Sequence, residues 1–178
     1  FSINYEKVNM AELTLKSQTK EIKGIKKFQD EKTILVVDDI KENRDLIVQL
    51  LGFYGFKTLE ANSGLMALSL FEKQNENEKI DLIFMDILME ELDGLQTMQI
   101  IRKKQKNSNI PIIALSANVF EEDKKQAIKA GANDFLPKPV EEKDILLLLK
   151  KYLKIEFEYE EKEEKNDFLE ELKNLPKE

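Results

Sequence analysis

The sequence lacks both cysteine and histidine among its 178 residues. Without cysteine, disulfides and thiolate chemistry are excluded, and the absence fits a cytosolic compartment. Without histidine, the chain has no Ser-His-Asp triad, no imidazole-ligated metal and no histidine that carries a phosphoryl group. Carboxylates and other oxygen groups are what remains for metal binding.

Long apolar runs and an excess of positive charge are also missing. No run approaches the roughly 18 apolar residues of a membrane span, and Phe1–Met10 is too polar for a secretory signal. The net charge of −7 argues against a nucleic-acid surface. We therefore expect a cytoplasmic chain that contacts neither membrane nor nucleic acid. Because Phe1 is not an initiator methionine, we expect a longer parent protein, which could itself be anchored in a membrane.

The apolar residues fall into strand-like and helix-like segments that alternate five times over Thr33–Leu153. The predicted strands are Thr33–Val37, Phe56–Glu60, Ile80–Met85, Ile110–Leu115 and Asp134–Leu136. A helix-like segment follows each strand, and the fourth, Phe120–Ala130, is mostly polar. Ser63 is expected to cap the second helix, and Gly131 to end the fourth. This alternation predicts an α/β fold with a parallel sheet covered by helices on both faces.

The segments on either side of this region have a different character. Phe1, Ile3 and Tyr5 alternate with polar residues, and Ala11–Glu31 is rich in lysine. Residues 1–31 are therefore predicted to be a strand remnant followed by a linker, and 32–154 the main domain. Residues 155–178 are predicted to be an acidic extension, in which Ile155–Tyr159 has the two-residue period of a strand.

Polar side chains stand directly after four of the predicted strands. Asp38 and Asp39 follow the first strand, Asp86 the third, Ser116 the fourth and Lys138 the fifth. A single aspartate at such a point is commonly a turn or cap residue. In an open parallel sheet, however, groups that bind ligands gather beyond the carboxyl ends of the strands. Five such groups at one edge favour a functional site.

Clustered carboxylates repel, so they must become protonated, pair with a cation or bind a metal. Oxygen ligands without histidine or cysteine favour Mg²⁺ or Mn²⁺. A metal held by acids beside a lysine suits phosphoryl transfer, in which one carboxylate takes the group covalently. The spacing leaves Asp38, Asp39 and Asp86 open as the nucleophile, with a modest preference for the central Asp86.

The residues at these strand ends resemble the receiver domain of response regulators. The matching motifs are Ile34–Asp39, Phe84–Met89, Leu92–Gly94, Ile112–Ala117 and Gly131–Pro139. The resemblance implies a phosphoryl-accepting domain of a two-component system with a flavodoxin-like, doubly wound fold. Its five strands, counted along the chain, would have the order 2-1-3-4-5. The family often has proline where this chain has Glu90, a departure that concerns only the stiffness of that loop.

The resemblance also assigns roles around the metal. Asp86 would be the phospho-acceptor, and Asp39 and Asp86 would bind Mg²⁺ (or Mn²⁺) through their side chains. The backbone carbonyl of Leu88 would be a third protein ligand, and Asp38 would act mostly through metal-bound water.

The remaining roles concern the response to phosphorylation. Ser116 would hydrogen-bond the phosphoryl group, Lys138 would pair with it, and Phe135 would be an aromatic switch that turns inward. The Lys138–Pro139 bond would be cis. The domain would assist its own phosphorylation and dephosphorylation, and it would switch the face formed by helix four, strand five and helix five.

Three stretches are similar to receivers fused to hybrid sensor histidine kinases: Met85–Met89, Leu115–Phe120 and Asn133–Pro139. In such proteins the receiver follows an ATP-binding domain. Residues Phe1–Val8 resemble the last strand of that domain. The implied parent is a histidine kinase, and the implied partner is a phosphohistidine-bearing kinase or phosphotransfer domain, in cis or in trans. The helix at Glu141–Leu153 is more apolar than one buried face requires. We expect it to pack against the sheet and the strand Ile155–Tyr159, with a homodimer or a kinase-docking surface as the alternative.

Two other functions fit the sequence less well. An aspartyl-nucleophile phosphatase needs a second aspartate two residues after the first, but Ile40 occupies that position after Asp38. A stand-alone response regulator that binds DNA needs an output domain, whereas the residues after the last helix are few and acidic. A stand-alone regulator and an interaction module that cannot be phosphorylated remain the alternatives.

Overall fold

The computed structural model describes residues 21–25, 31–74, 79–104, 110–118 and 120–160. The chain divides into two compact units, one formed by residues 25–156 and the other by residues 1–24 and 157–178. The elements in chain order are β1 (Glu21–Ile25), β2 (Thr33–Val37), α1 (Lys41–Phe53), β3 (Lys57–Ala61), α2 (Gly64–Lys73), β4 (Ile80–Asp86), α3 (Gly94–Lys104), β5 (Ile112–Ser116), α4 (Glu121–Ala130), β6 (Asp134–Pro137), α5 (Glu142–Leu153) and β7 (Phe157–Glu160).

The larger unit contains a five-stranded parallel sheet with the order β3-β2-β4-β5-β6. Counted along the chain within this unit, the order is 2-1-3-4-5, so the predicted fold is confirmed. Every residue of β2 and β5 is buried, because helices cover both faces of the sheet. The register sets Val37 beside Met85 and Asp86 beside Leu115. It therefore brings the carboxyl ends of β2, β4 and β5 to one edge.

The helix ends follow the local chemistry that the sequence predicted. The Ser63 hydroxyl accepts a hydrogen bond from the Met66 N–H at 3.2 Å and caps α2. Gly131 ends α4 with a left-handed φ of 113°, which glycine adopts without a steric penalty. In α5, four of the apolar residues are buried and Leu147 is exposed, so most of its apolar surface is a core-facing side.

The smaller unit contains a two-stranded sheet in which β1 pairs with β7. The expectation that Ala11–Glu31 is a linker is wrong at Glu21–Ile25, because these residues form β1. Their partner lies far away in the chain, so no local period reveals it. The tail strand begins at Phe157, two residues later than expected, and the strand expected at Phe1–Tyr5 lies outside the described residues. Within the described ranges, no helix is long and apolar enough to cross a membrane.

Candidate functional site

Three carboxylates meet at the carboxyl edge of the sheet. Asp38 and Asp39 follow β2 directly, and Asp86 is the last residue of β4. Each offers one oxygen, and these three oxygens lie within 4.8 Å of one another. Asp38 and Asp86 are buried, whereas Asp39 is exposed. The cluster therefore has a closed side within the sheet and an open side that faces solvent.

Lys138 reaches the same point from the loop between β6 and α5. Its Nζ lies 2.6 Å from Asp38 Oδ2 and 3.0 Å from Asp86 Oδ1. The Lys138 N–H donates to the Ser116 carbonyl at 2.8 Å, which holds its backbone beside β5. The Lys138–Pro139 bond is cis, as the resemblance implied. Burial alone would lower the pKa of Lys138, but its bonds to Asp38 and Asp86 raise it overall. The side chain is thus a fixed ammonium ion.

Lys138 does not fully offset the unfavourable burial of negative charge on the acids. Burial raises the pKa of Asp86, and the nearby Asp38 carboxylate adds to the rise. Lys138 and the Leu88 N–H, which donates to Asp86 Oδ1 at 3.4 Å, oppose the rise without cancelling it. The fold therefore holds a carboxylate in a place where its negative charge is unfavourable.

The donor set fits a hydrated magnesium ion. Mg²⁺ prefers oxygen ligands, uses one or two carboxylates and keeps several of its waters. The three converging oxygens supply such ligands, and the exposed Asp39 leaves room for water. A divalent cation would also relieve the unfavourable charge on Asp86. Asp38, Asp39 and Asp86 are consequently the residues that would hold the ion.

The other predicted site residues lie on the neighbouring strands. Ser116 ends β5 in a buried position, and its hydroxyl accepts a hydrogen bond from the Asn118 N–H at 3.1 Å. Phe135 lies on β6, is half-buried and packs against the hydrophobic core. Leu88 lies two residues beyond Asp86, with an exposed side chain. The structure thus brings Asp38 and Asp86 into contact with Lys138, and it places Ser116 and Phe135 on β5 and β6.

Sequence reasoning missed two residues in the first turn of α1. The Asn43 side-chain amide donates to Asp38 Oδ1 at 3.2 Å, which leaves Oδ2 for Lys138. The Arg44 guanidinium donates to the backbone carbonyls of Asp38 and Asp39. Helical side chains lean towards the N-terminus, so the first turn of a helix overhangs the loop before it. This lean of helical side chains was the signal by which Asn43 and Arg44 could have been found.

Gly94 has a role that the motif match did not assign. A Cβ atom at Gly94 would clash with the carbonyl oxygen of Asp86, and the Gly94 N–H donates to the Ile87 carbonyl at 3.0 Å. The start of α3 therefore packs directly against the end of the strand that carries Asp86. Asp93 caps this helix, since its carboxylate accepts a hydrogen bond from the Gln96 N–H at 2.7 Å.

A doubly wound five-stranded sheet with this acidic edge is the architecture of a signal receiver. The sequence model of the response regulator receiver domain matches residues 34–150, and the chain belongs to this family. It is thus a receiver domain of two-component signal transduction. Receiver domains generally bind Mg²⁺ at an acidic site of this kind.

Two curated relatives illustrate the range of proteins that share the domain. Hybrid signal transduction histidine kinase L of Dictyostelium discoideum is 37% identical over 122 residues, which cover 67% of this chain and 7% of the kinase. An uncharacterized 14.6 kDa protein of Leptolyngbya boryana is 37% identical over 119 residues, which cover 67% of this chain and 88% of that protein. The chain thus spans a small part of the first relative and most of the second.

A solved structure extends the comparison. The receiver domain of the sensor histidine kinase PA1611 from Pseudomonas aeruginosa, which has a magnesium ion coordinated in its active-site cleft, is 30% identical with a TM-score of 0.63. The match covers 70% of this chain and 99% of that domain.

Proposed function

We propose that Asp86 accepts a phosphoryl group from a phosphohistidine on a kinase or phosphotransfer domain. One observation carries this proposal. The Asp86 carboxylate lies 3.0 Å from the Lys138 ammonium, and one of its oxygens lies within 4.8 Å of carboxylate oxygens of Asp38 and Asp39. An acid that ends a central strand, beside a fixed cation and a pair of metal-binding acids, has the surroundings of a phosphoryl acceptor.

The two oxygens of Asp86 have different surroundings. The ion pair with Lys138 and the hydrogen bond from the Leu88 N–H both fall on Oδ1. Oδ2 is therefore the oxygen that we assign as the nucleophile. It attacks phosphorus as the bond from phosphorus to the donor imidazole nitrogen breaks, and the imidazole leaves with its electron pair.

Charge on the phosphoryl oxygens would be offset from two sides. Mg²⁺, held by Asp38, Asp39, Asp86 and the Leu88 carbonyl, would supply Lewis-acid stabilisation when bound. Lys138 would pair with a phosphoryl oxygen from the opposite side. Its ammonium already touches both buried acids, so it needs little rearrangement to do so.

Phosphorylation would then act on the residues at the ends of β5 and β6. The Ser116 hydroxyl, which now accepts from the Asn118 N–H, would turn towards the phosphoryl group. Phe135 is half-buried and would move inward into the space that this change releases. The outcome is a population shift of the face formed by α4, β6 and α5.

The donor histidine must lie outside this sequence, which contains none. Exposed apolar side chains adjoin the acidic cluster, with Ile40 52%, Leu46 59% and Leu88 60% exposed. A pocket of about 90 Å³ between α1 and the loop after β6 continues this surface. It is lined by Asp38, Asn43, Leu46, Ile47, Lys138, Pro139 and Val140. We assign this surface to the docking of the donor domain.

We further propose that the parent protein is a cytoplasmic or membrane-anchored hybrid sensor histidine kinase. The kinase from Dictyostelium discoideum and the kinase receiver from Pseudomonas aeruginosa support this context. The coding sequence upstream of Phe1 tests it. An ATP-binding domain encoded in frame would support the hybrid kinase, and a start codon directly before Phe1 would favour a stand-alone regulator.

Intact-mass spectrometry tests the acceptor. The chain is incubated with Mg²⁺ and acetyl phosphate, and we expect a mass gain of one phosphoryl group that EDTA prevents. Asp86→Asn should remove the label, whereas Asp38→Asn should retain some of it. The control is Asp45→Asn, which removes the charge of a partly exposed acid of α1 that pairs with Lys41. A label that persists in Asp86→Asn would refute the assignment.

A further inference from the structure

We propose that Arg44 is a positioning residue for the metal-binding acids. It holds the backbone of Asp38 and Asp39 so that both carboxylates face one point, and it thereby sets the affinity of the site for Mg²⁺. This inference rests on the proposed function and deepens it, because it names a residue that determines the readiness of the acceptor site.

The contacts of Arg44 lead from a helix to the acidic loop. Its Nη1 lies 2.7 Å from the Asp38 carbonyl and 3.4 Å from the Asp39 carbonyl. Its Nε lies 3.5 Å from a carboxylate oxygen of Glu60, near the end of β3. The Arg44 side chain is 12% exposed. One largely buried cation thus connects α1, the loop after β2 and the neighbouring strand.

The acceptors show what this cation does. In its described contacts with Asp38 and Asp39, Arg44 donates to the backbone carbonyls and not to the carboxylates. An arginine that merely balanced the charge of the cluster would pair with those carboxylates. Arg44 instead orients the loop while the oxygens stay available for a metal and for Lys138.

The choice of residue type supports the same conclusion. Only two of the 28 basic residues in the sequence are arginines, at positions 44 and 102. Each donates to two backbone carbonyls, Arg102 to those of Ile110 and Gly131. A guanidinium presents several donors in a rigid plane, whereas an ammonium is a point charge on a flexible stem. Geometry as well as charge therefore accounts for arginine at position 44.

Positioning and simple electrostatics predict opposite signs for the loss of Arg44. If the residue acted only through its charge, removing a nearby cation would strengthen Mg²⁺ binding, and lysine would behave like arginine. If it positions the loop, its loss lets Asp38 and Asp39 diverge, Mg²⁺ binding weakens, and lysine does not restore it. Substitution of groups that orient metal ligands typically costs about tenfold or more in affinity.

Isothermal titration calorimetry with MgCl₂ alone measures this difference without any phosphodonor. We expect Arg44→Lys and Arg44→Met to bind Mg²⁺ about tenfold more weakly than the unaltered chain. The matched control is Arg102→Lys, which should lower stability and leave the Kd for Mg²⁺ unchanged. Should Arg44→Met fail to fold, Arg44→Lys keeps the charge and the stem and still answers the question.

The possible outcomes separate the two proposals. Unchanged or tighter Mg²⁺ binding in Arg44→Lys would overturn the positioning role, even if Asp86 is labelled normally. Weaker binding in Arg44→Lys, together with an unchanged Kd in Arg102→Lys, would support it. Failure of the unaltered chain to take up a phosphoryl group would count against the proposed function and not against the Mg²⁺ result.

Discussion

The two arginines stand at opposite edges of the sheet and serve different purposes. Arg102, at the end of α3, uses all three guanidinium nitrogens in a network at the amino edge. Nε donates to the Gly131 carbonyl at 2.7 Å, Nη1 to the Ile110 carbonyl at 2.8 Å and Nη2 to Asn133 Oδ1 at 2.6 Å. Burial lowers the pKa of Arg102, so its acceptors are needed to stabilise the charge.

At the carboxyl edge, buried charge is less well offset than at the amino edge. Lys138 pairs with Asp38 and Asp86, and burial together with Asp38 keeps the pKa of Asp86 above its ordinary value. The amino edge is arranged for stability, because its buried donors meet good acceptors. The carboxyl edge retains repulsion between the buried carboxylates of Asp38 and Asp86, which a bound divalent cation would relieve. The contrast shows how one fold separates a stabilising edge from a reactive one.

The largest expected effect is at the amino edge. Arg102→Met would remove three hydrogen bonds and take this donor from the Ile110 and Gly131 carbonyls, which should lower the free energy of unfolding by about 3 kcal/mol. Urea denaturation measures the change. The neighbouring Lys103→Met removes an exposed charge from the same helix turn and should change stability by no more than about 0.5 kcal/mol. Equal effects of the two substitutions would contradict a clamping role for Arg102.

A smaller effect is expected where α3 meets the acceptor strand. Gly94→Ala places a methyl group against the Asp86 carbonyl and should cost about 2 kcal/mol, with reduced phosphorylation of Asp86. Thermal unfolding and intact mass measure the two effects. Gly52→Ala is the matched control, since Gly52 lies within α1 with no atom near its would-be Cβ. It should raise stability by about 0.5 to 1 kcal/mol. Similar losses at both glycines would exclude the proposed close contact.

The smallest effect concerns the charge of Asp86. Its raised pKa means that the folded protein takes up this proton more readily than the unfolded chain does. The stability that Asp86 contributes is therefore greatest below its unfolded pKa and is lost as pH rises through the folded pKa. At pH 7 without metal, Asp86→Asn should thus be more stable than the parent by about 1 kcal/mol.

Thermal unfolding in EDTA at pH 7 and near pH 4 measures this difference, which should shrink at the lower pH. Adding Mg²⁺ should stabilise the parent more than the variant, because the parent keeps the carboxylate that binds the ion. A variant that is less stable than the parent at pH 7 would contradict the unfavourable charge at this edge.

Much of this architecture could be predicted from local patterns. The apolar runs located the five strands of the main sheet, and the first polar residue after a strand located Asp86, Ser116 and Lys138. That reasoning works because the carboxyl ends of parallel strands share one edge. It could not find Arg44, whose acceptors are backbone carbonyls that have no sequence signature, nor the pairing of β1 with β7.

The sequence by itself determined which segments are strands and helices and which chemical groups end each strand, because those properties depend on the order of apolar and polar residues. Only the tertiary structure decided which oxygen of Asp86 pairs with Lys138 and how Arg44 binds the backbone of the Asp38–Asp39 loop. It also decided that position 94 has room for glycine alone. Those features depend on distances between segments that are remote in the chain, and packing alone sets such distances.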